Sequence, residues 1–236
     1  MNAFTSWLQR RGPQLSAEQR ARLARLPAAA PLSEGPLAGE RLVVLDLETS
    51  GLDPRRDQLL AIGAVVIRDG AIDLAQQFEC TLRSERLSPG ASTLIHGLAP
   101  SAIAAGAEPT EALLGFLEFL GDSPLLAFHA GFDRGVLSRA LRQQLGYRLQ
   151  HPCLDVAELA PLLCPQAHLR EAGLDDWIGH FGLRVEQRHH ASADALATAE
   201  IALILFSHAR RQGLDSLAAL ARRLQRWRQR QLAPSL

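Results

Sequence analysis

The chain has 236 residues, nearly half of them apolar and about a fifth charged, and its basic and acidic side chains, 25 of each, sum to zero net charge. It contains no lysine, which excludes a P-loop and any Schiff-base chemistry, because both need an amine side chain. No apolar run approaches the roughly 20 residues that a membrane span requires, and three cysteines without a CxxC pair argue against a disulfide framework and a zinc site.

This length accommodates one domain of about 170 to 190 residues with extensions. Three segments are expected: an N-terminal extension and linker over 1–40, a main domain over 41–212, and an arginine-rich helix over 213–236. Met1–Arg11 lacks a cationic segment followed by an apolar stretch, so no secretory signal is expected and a cytoplasmic location fits. Ser16–Leu26 predicts a short Arg-rich helix, and the Ala/Pro/Gly composition of Pro27–Gly39 predicts a linker that resists packing. Regular structure then starts sharply, with Arg41–Leu47 reading as a buried strand. Gln58–Arg68 and Ile72–Leu82 flank the turn Asp69-Gly70 and read as an antiparallel hairpin.

A less regular stretch runs through Leu94–Leu98. Pro109–Leu120 has helical spacing, Leu125–Phe128 reads as a short buried strand, and a helix follows over Phe132–Gly146. Cys153–Leu159 predicts a strand or a strand-to-helix transition, Gly173–Phe181 and Ala191–Gln212 predict helices, and Leu214–Gln231 predicts a last one. Strands first, then strands alternating with helices, imply an α/β fold with a mixed sheet covered by helices.

Three local signals carry chemistry. Asp46-Leu47-Glu48-Thr49-Ser50-Gly51 ends the first strand, and residues two apart on a strand share a face, so both carboxylates point to one side. Two anions held together repel unless cations neutralise them. Phe132-Asp133 follows the strand Leu125–Phe128 and opens a helix, where an acid also serves simply to satisfy the positive helix end. His189-His190-Ala191-Ser192-Ala193-Asp194 places two histidines before a helix start. Taken singly, each signal also reads as ordinary surface chemistry.

Together, their order and spacing resemble the DEDD-type, or DnaQ-like, 3′→5′ exonucleases, a family that includes proofreading subunits of bacterial replicative DNA polymerases. Its first motif, DxET[TS]G, is matched by Asp46, Glu48, Thr49, Ser50 and Gly51. Its second ends in an Asp after an aromatic residue, matched by Phe132 and Asp133. Its third has a His five residues before an Asp, matched by His189 and Asp194; this spacing is that of the histidine-containing subgroup and makes His190 the bystander. Leu94–Leu98 is similar to the family's "IHG" stretch. The resemblance covers roughly residues 41–210. The chain departs from it at His129, where many members carry Asn.

The resemblance implies a ribonuclease H-like mixed sheet flanked by helices, and two Mg2+ or Mn2+ ions held by Asp46, Glu48, Asp133 and Asp194. His189 would take the proton from the attacking water. Thr49, Gly51, Leu52, His96, His129 and Phe132 would contact the substrate end. The partner implied is a nucleic acid, with a DNA 3′ end first, an RNA 3′ end as the alternative and a catalytically silent binding or polymerase-assembly module as a third reading. A polymerase is a further candidate partner, and no membrane is expected. Trp177 reads as core rather than a base-stacking platform. The C-terminal Arg222, Arg223, Arg226, Arg228 and Arg230 read as a solvated helix face before a phosphate track.

Overall fold

In the computed structural model, which describes residues 13–84 and 98–232, five strands form one mixed sheet in the order β3-β2-β1-β4-β5. Strand β1 (Leu42–Thr49) pairs antiparallel with β2 (Leu59–Arg68), and β2 antiparallel with β3 (Ala71–Thr81). On its other side β1 pairs in parallel with β4 (Leu125–Ala127), which pairs in parallel with β5 (Cys153–Asp155). The predicted strands and the Asp69-Gly70 turn are thus observed; Asp69 and Gly70 both take positive φ, 53° and 72°, as a tight hairpin requires.

Apolar content explains the order. From Leu59 to Ile67 every residue of β2 is buried, as is β1 from Leu42 to Leu45, so these two strands are covered on both faces. The edge strand β3 alternates exposed and half-buried residues and carries polar side chains. One face packs against helices α5 (Val156–Leu163), α7 (Ala191–Arg211) and α8 (Leu217–Leu232), with Val44, Leu154, Leu205 and Trp177 in its core. The other face packs against α3 (Pro109–Leu120) and α4 (Ala130–Leu145) through Val43, Leu45, Leu113 and Leu137. Each such buried Leu, Ile or Val contributes about 1.5–3 kcal/mol relative to exposure. α6 (Leu174–Phe181) buries Trp177 completely, in the core as expected.

One expectation needs correction. Pro27–Gly39 does not resist packing. Leu37 is 2% exposed, its N–H donates to the Asp215 carbonyl, Ala30 N–H donates to the Asp122 carbonyl, and Ser33 accepts from Ala218 N–H. These backbone bonds satisfy groups that an Ala/Pro-rich segment cannot pair within itself, and they bind it to the turn after α3 and to the start of α8. The arginine-rich α8 joins the same core: Leu217, Leu220 and Leu224 are buried in it, Arg222 pairs with Glu34, and Arg228 with Glu158.

The predicted helix over Ser16–Leu26 is α1 (Ala17–Ala24), closed at its start by a capping box between Ser16 and Gln19. It is tied to α3 by Arg22, which pairs with Glu111 and Glu118 at 2.7 Å each. A short helix, α2 (Pro100–Ala104), carried no periodic signal in the sequence. The Leu94–Gly97 part of the IHG-like stretch, including His96, lies outside the described residues. Among the described residues no helix is long and apolar enough to cross a membrane.

Candidate active site

Asp46 and Glu48 sit near the end of β1. Val43, Leu45 and Leu47 belong to the α3/α4 core and Leu42 and Val44 to the opposite one, so strand alternation turns both carboxylates to the α7 face. The β1–β2 register slips between Glu48 and Thr49, a bulge where the strand leaves the sheet beside the carboxylates.

The third acid arrives on α7. Asp46 stands opposite Gly63 in the β1–β2 ladder, and a side-chain carbon on Gly63 would lie 2.1 Å from the Ala191 carbonyl carbon. Only a bare backbone lets the first turn of α7 approach β2 so closely. Asp194, in that turn and 6% exposed, then meets the strand acids: donor oxygens of Asp46, Glu48 and Asp194 all lie within 4.8 Å of one another. The glycine in the apolar run Leu59–Arg68 was the available sequence signal for this approach, and it went unread.

Asp133 is outside this set of mutually close donors, although it is 4% exposed and its charge acts on Asp46. The backbone N–H groups of Asp133 and Leu47 favour its charged form, which places its carboxyl beside the strand that carries the other acids. Asp155, which belongs to none of the three motifs, acts on Asp133 by its charge. Its Oδ1 accepts from His129 N–H at 3.1 Å and from Ala157 N–H at 3.0 Å, holding the left-handed His129 (φ 61°) from which α4 begins. Asp155 is a helix N-cap by position, and its backbone partner is 26 residues away.

Burial dominates the electrostatics. It pushes the Glu48 carboxyl up to about 7 and Asp133 to about 8, and raises Asp46 well above the carboxylate range, helped by the charges of Asp133 and Glu48. The opposing charge is Arg188, whose guanidinium bonds to Asp194 Oδ1 and to Asp175 and also lowers the Asp46 and Glu48 carboxyls. One arginine cannot balance four acids, and a close set of carboxyl oxygens is the donor type that a hard divalent cation prefers.

His189 and His190 differ in place. His189 is exposed with φ 61°, and its N–H donates to Asp194 Oδ2 at 3.2 Å. Its ring makes no hydrogen bond or ion pair with the described residues. The His190 ring is engaged by Ser192 Oγ at 3.0 Å and by Glu79 at 3.4 Å, and it lines a small crevice together with Glu48. His190 is therefore close to the acids, not remote from them.

Of the remaining residues named from sequence, Thr49 Oγ1 donates to the Gly51 carbonyl at 2.6 Å, closing the turn after β1. At Gly51 an added side-chain carbon would lie 2.7 Å from the Asp57 carboxylate, which would have to move aside. Leu52 is 85% exposed at the tip of this turn. His129 is exposed and its ring meets Phe128 edge-on. Phe132 packs partly into the α3/α4 core, so much of its ring is spent on packing.

Comparison with known proteins agrees with this architecture. The family described as Exonuclease (RNase T) matches residues 43–202. A PolC-type DNA polymerase III from Clostridium perfringens is 33% identical over 164 residues, covering 69% of this chain and 11% of that protein. A DNA polymerase III subunit epsilon-like protein from Rhodobacter capsulatus is 31% identical over 192 residues, covering 80% of this chain and 27% of the relative. The chain thus spans only a minor part of these relatives. Among solved structures, exonuclease X in complex with 5′-overhanging duplex DNA superposes with a TM-score of 0.59 at 20% identity, covering 76% of this chain and 99% of the other. That likeness concerns the fold, a ribonuclease H-like mixed sheet flanked by helices.

Proposed function

The chain belongs to the exonuclease (RNase T) family, and we propose that it is a metal-dependent 3′→5′ exonuclease that releases nucleoside monophosphates from DNA ends. The observation that carries this reading is the convergence of Asp46, Glu48 and Asp194, from two elements far apart in the chain, onto one partly buried locus. The burial of Asp133 within electrostatic reach of Asp46 adds a fourth acid.

Asp46, Glu48 and Asp194 would hold one divalent cation, Mg2+ or Mn2+, and Asp46 with Asp133 would support a second. The fit rests on the donors themselves: carboxylate oxygens, mutually close, largely removed from water and under-neutralised by protein cations. Two such ions, when bound, activate water and stabilise the departing oxygen of a phosphodiester.

The remaining work belongs to the chain's own groups. His189, exposed beside Asp194, takes the proton of the attacking water, a task suited to an imidazole near neutral pH. Its left-handed backbone and the N–H bond to Asp194 orient it relative to the acids. The turn closed by Thr49 and Gly51 presents Leu52 to the terminal base, and His129 and Phe132 border the path of the strand. This is the histidine-containing pattern of the family.

DNA is preferred over RNA because both sequence relatives are named for DNA polymerase III, and exonuclease X is described with duplex DNA. Work beside a polymerase, in proofreading or repair, and a cytoplasmic location are the corresponding setting. The test is a time course on 3′- and 5′-labelled DNA and RNA, with and without Mg2+. Stepwise shortening of 5′-labelled DNA, with mononucleotides from the 3′ end and suppression by EDTA, is expected. Metal-independent cleavage, or degradation from the 5′ end, would overturn the reading.

A further inference from the structure

Net charge is zero and the acidic cluster repels phosphate, so the attraction that brings a polyanion to this protein must come from a local positive field. A cavity of about 640 Å3 supplies one. It opens on the α3/α4 side of the sheet, at the same ends of β1 and β2 as the acids. Arg55, Arg56, Arg83 and Arg139 all line it.

Its charge is largely unspent. Arg55, Arg83 and Arg139 form no ion pair with any described residue, and Arg56 reaches Asp53 only at 3.7 Å, on the surface. The one acid in the lining, Glu108, is turned to the start of α3, where its carboxylate accepts from Glu111 N–H at 3.0 Å. Asp57, in the adjoining turn, accepts from Ser50 Oγ at 3.0 Å and from Asp53 N–H at 2.7 Å. The Arg139 guanidinium donates to the carbonyls of Pro54 and Asp57, which fixes its place without neutralising it.

The cavity also adjoins the acidic site. Gln58 in its wall exchanges two hydrogen bonds with Ser50, N–H to Oγ and carbonyl to N–H, both at 2.9 Å. On α4, Asp133 and Arg139 are six residues apart, about 9 Å along the axis at 1.5 Å per residue.

We propose that this arginine-lined cavity is a distal phosphate subsite, which grips the backbone of the nucleic-acid strand whose 3′ end occupies the acidic site. The inference rests on the exonuclease reading and assigns that reaction a grip separate from its chemistry. Guanidinium forks match phosphate oxygens in pairs and are blind to base sequence, so the subsite sets affinity and persistence on long strands rather than the rate of bond cleavage.

The test compares wild type with the double variant Arg55→Ala/Arg83→Ala, leaving Arg139 to hold its turn. Steady-state cleavage is measured on a trinucleotide and on a single strand of about 20 nucleotides across a salt series. Phosphate contacts weaken as salt rises, so losing two is expected to raise KM on the long strand most at low salt, and that excess should shrink roughly sevenfold between 50 and 200 mM salt. The slope of log KM against log salt should flatten by about 1.4, twice the 0.7 per contact of single strands. kcat on both substrates and KM on the trinucleotide should stay at wild-type values.

Equal KM changes on both substrates, or none on the long strand, overturn the subsite while leaving the nuclease intact. Wild type that cleaves neither substrate overturns the exonuclease reading and the subsite with it. Displacement of the long strand by decaglutamate at lower concentration than by unlabelled strand assigns the cavity to an acidic peptide instead. Displacement by inorganic phosphate alone at a similar concentration makes it a small-anion site; either result overturns the backbone grip.

Discussion

Arg188 donates its guanidinium to Asp194 Oδ1, and so places one positive charge at the edge of the cluster that Asp194 shares with Asp46 and Glu48. The arginine side chain is 22% exposed and the aspartate side chain 8%, so the pair is shielded enough for its charge to matter. In the absence of metal, Arg188 is the protein's own counter-ion. Replacing it with Gln is expected to lower the melting temperature in EDTA and to tighten Mn2+ binding severalfold at alkaline pH, where the acids are ionised. Calorimetric titration of Mn2+ into the variant checks this; unchanged affinity would remove Arg188 from the electrostatics of the site.

Asp46→Asn should abolish nuclease activity while the protein stays folded. The carboxyl is crowded by Asp133 and Glu48 and raised mainly by burial, so the neutral amide relieves repulsion. The variant in EDTA is therefore expected to melt at or above the wild-type temperature. A folded variant with near-normal cleavage would defeat the assignment of Asp46.

Gly63→Ala tests the approach of α7. The added methyl would fall within 2.1–2.4 Å of the Ala191 and Ser192 backbone, which no rotamer can relieve. Overpacking of this kind costs about 1–3 kcal/mol. Here it also pushes Asp194 away from Asp46. Urea denaturation should show the destabilisation, and activity should fall further than the lost folded fraction explains.

Stability should depend on pH with an unusual sign. Glu48 at about 7 and Asp133 at about 8 ionise in the unfolded chain near their ordinary values of about 4. Between those limits the native state binds more protons, so the contribution is fully present below about pH 4 and is lost as pH rises through 7 to 8. Melting in EDTA should thus occur at lower temperature at alkaline than at mildly acidic pH. Excess Mg2+ should restore it, because the cation binds the ionised carboxylates. Stability that rises with pH in EDTA would contradict the burial of these groups.

The two histidines should separate kinetically. His189→Ala is expected to lower kcat by about 10²–10⁴, the usual worth of a general base. His190→Ala, which cuts the link to Ser192 and Glu79, should change kcat much less. The reverse ranking would give the proton transfer to His190, which borders the same crevice as Glu48.

Much of the fold was legible because its signals are local. The apolar runs of β1 and β2, the Asp69-Gly70 turn and the helical spacing of Pro109–Leu120 each state their own structure. The acids at 46, 48, 133 and 194 were readable for the same reason: each sits in a short motif beside an element boundary. Other features were illegible because they join residues far apart in the chain. Leu37 is buried only because Asp215 and Ala218 receive its segment, and an Ala/Pro-rich stretch has no periodicity with which to announce that.

The sequence by itself determined which side chains are available for chemistry, the element on which each rides, and the side of the strand to which Asp46 and Glu48 turn. Backbone periodicity and steric preference fix these locally. Only the tertiary structure decided how near α7 comes to β2 through Gly63, which cation answers the acids, and that four arginines from three distant segments share one cavity. Distances between remote segments depend on how buried surfaces pack together, and no short window of residues contains that information.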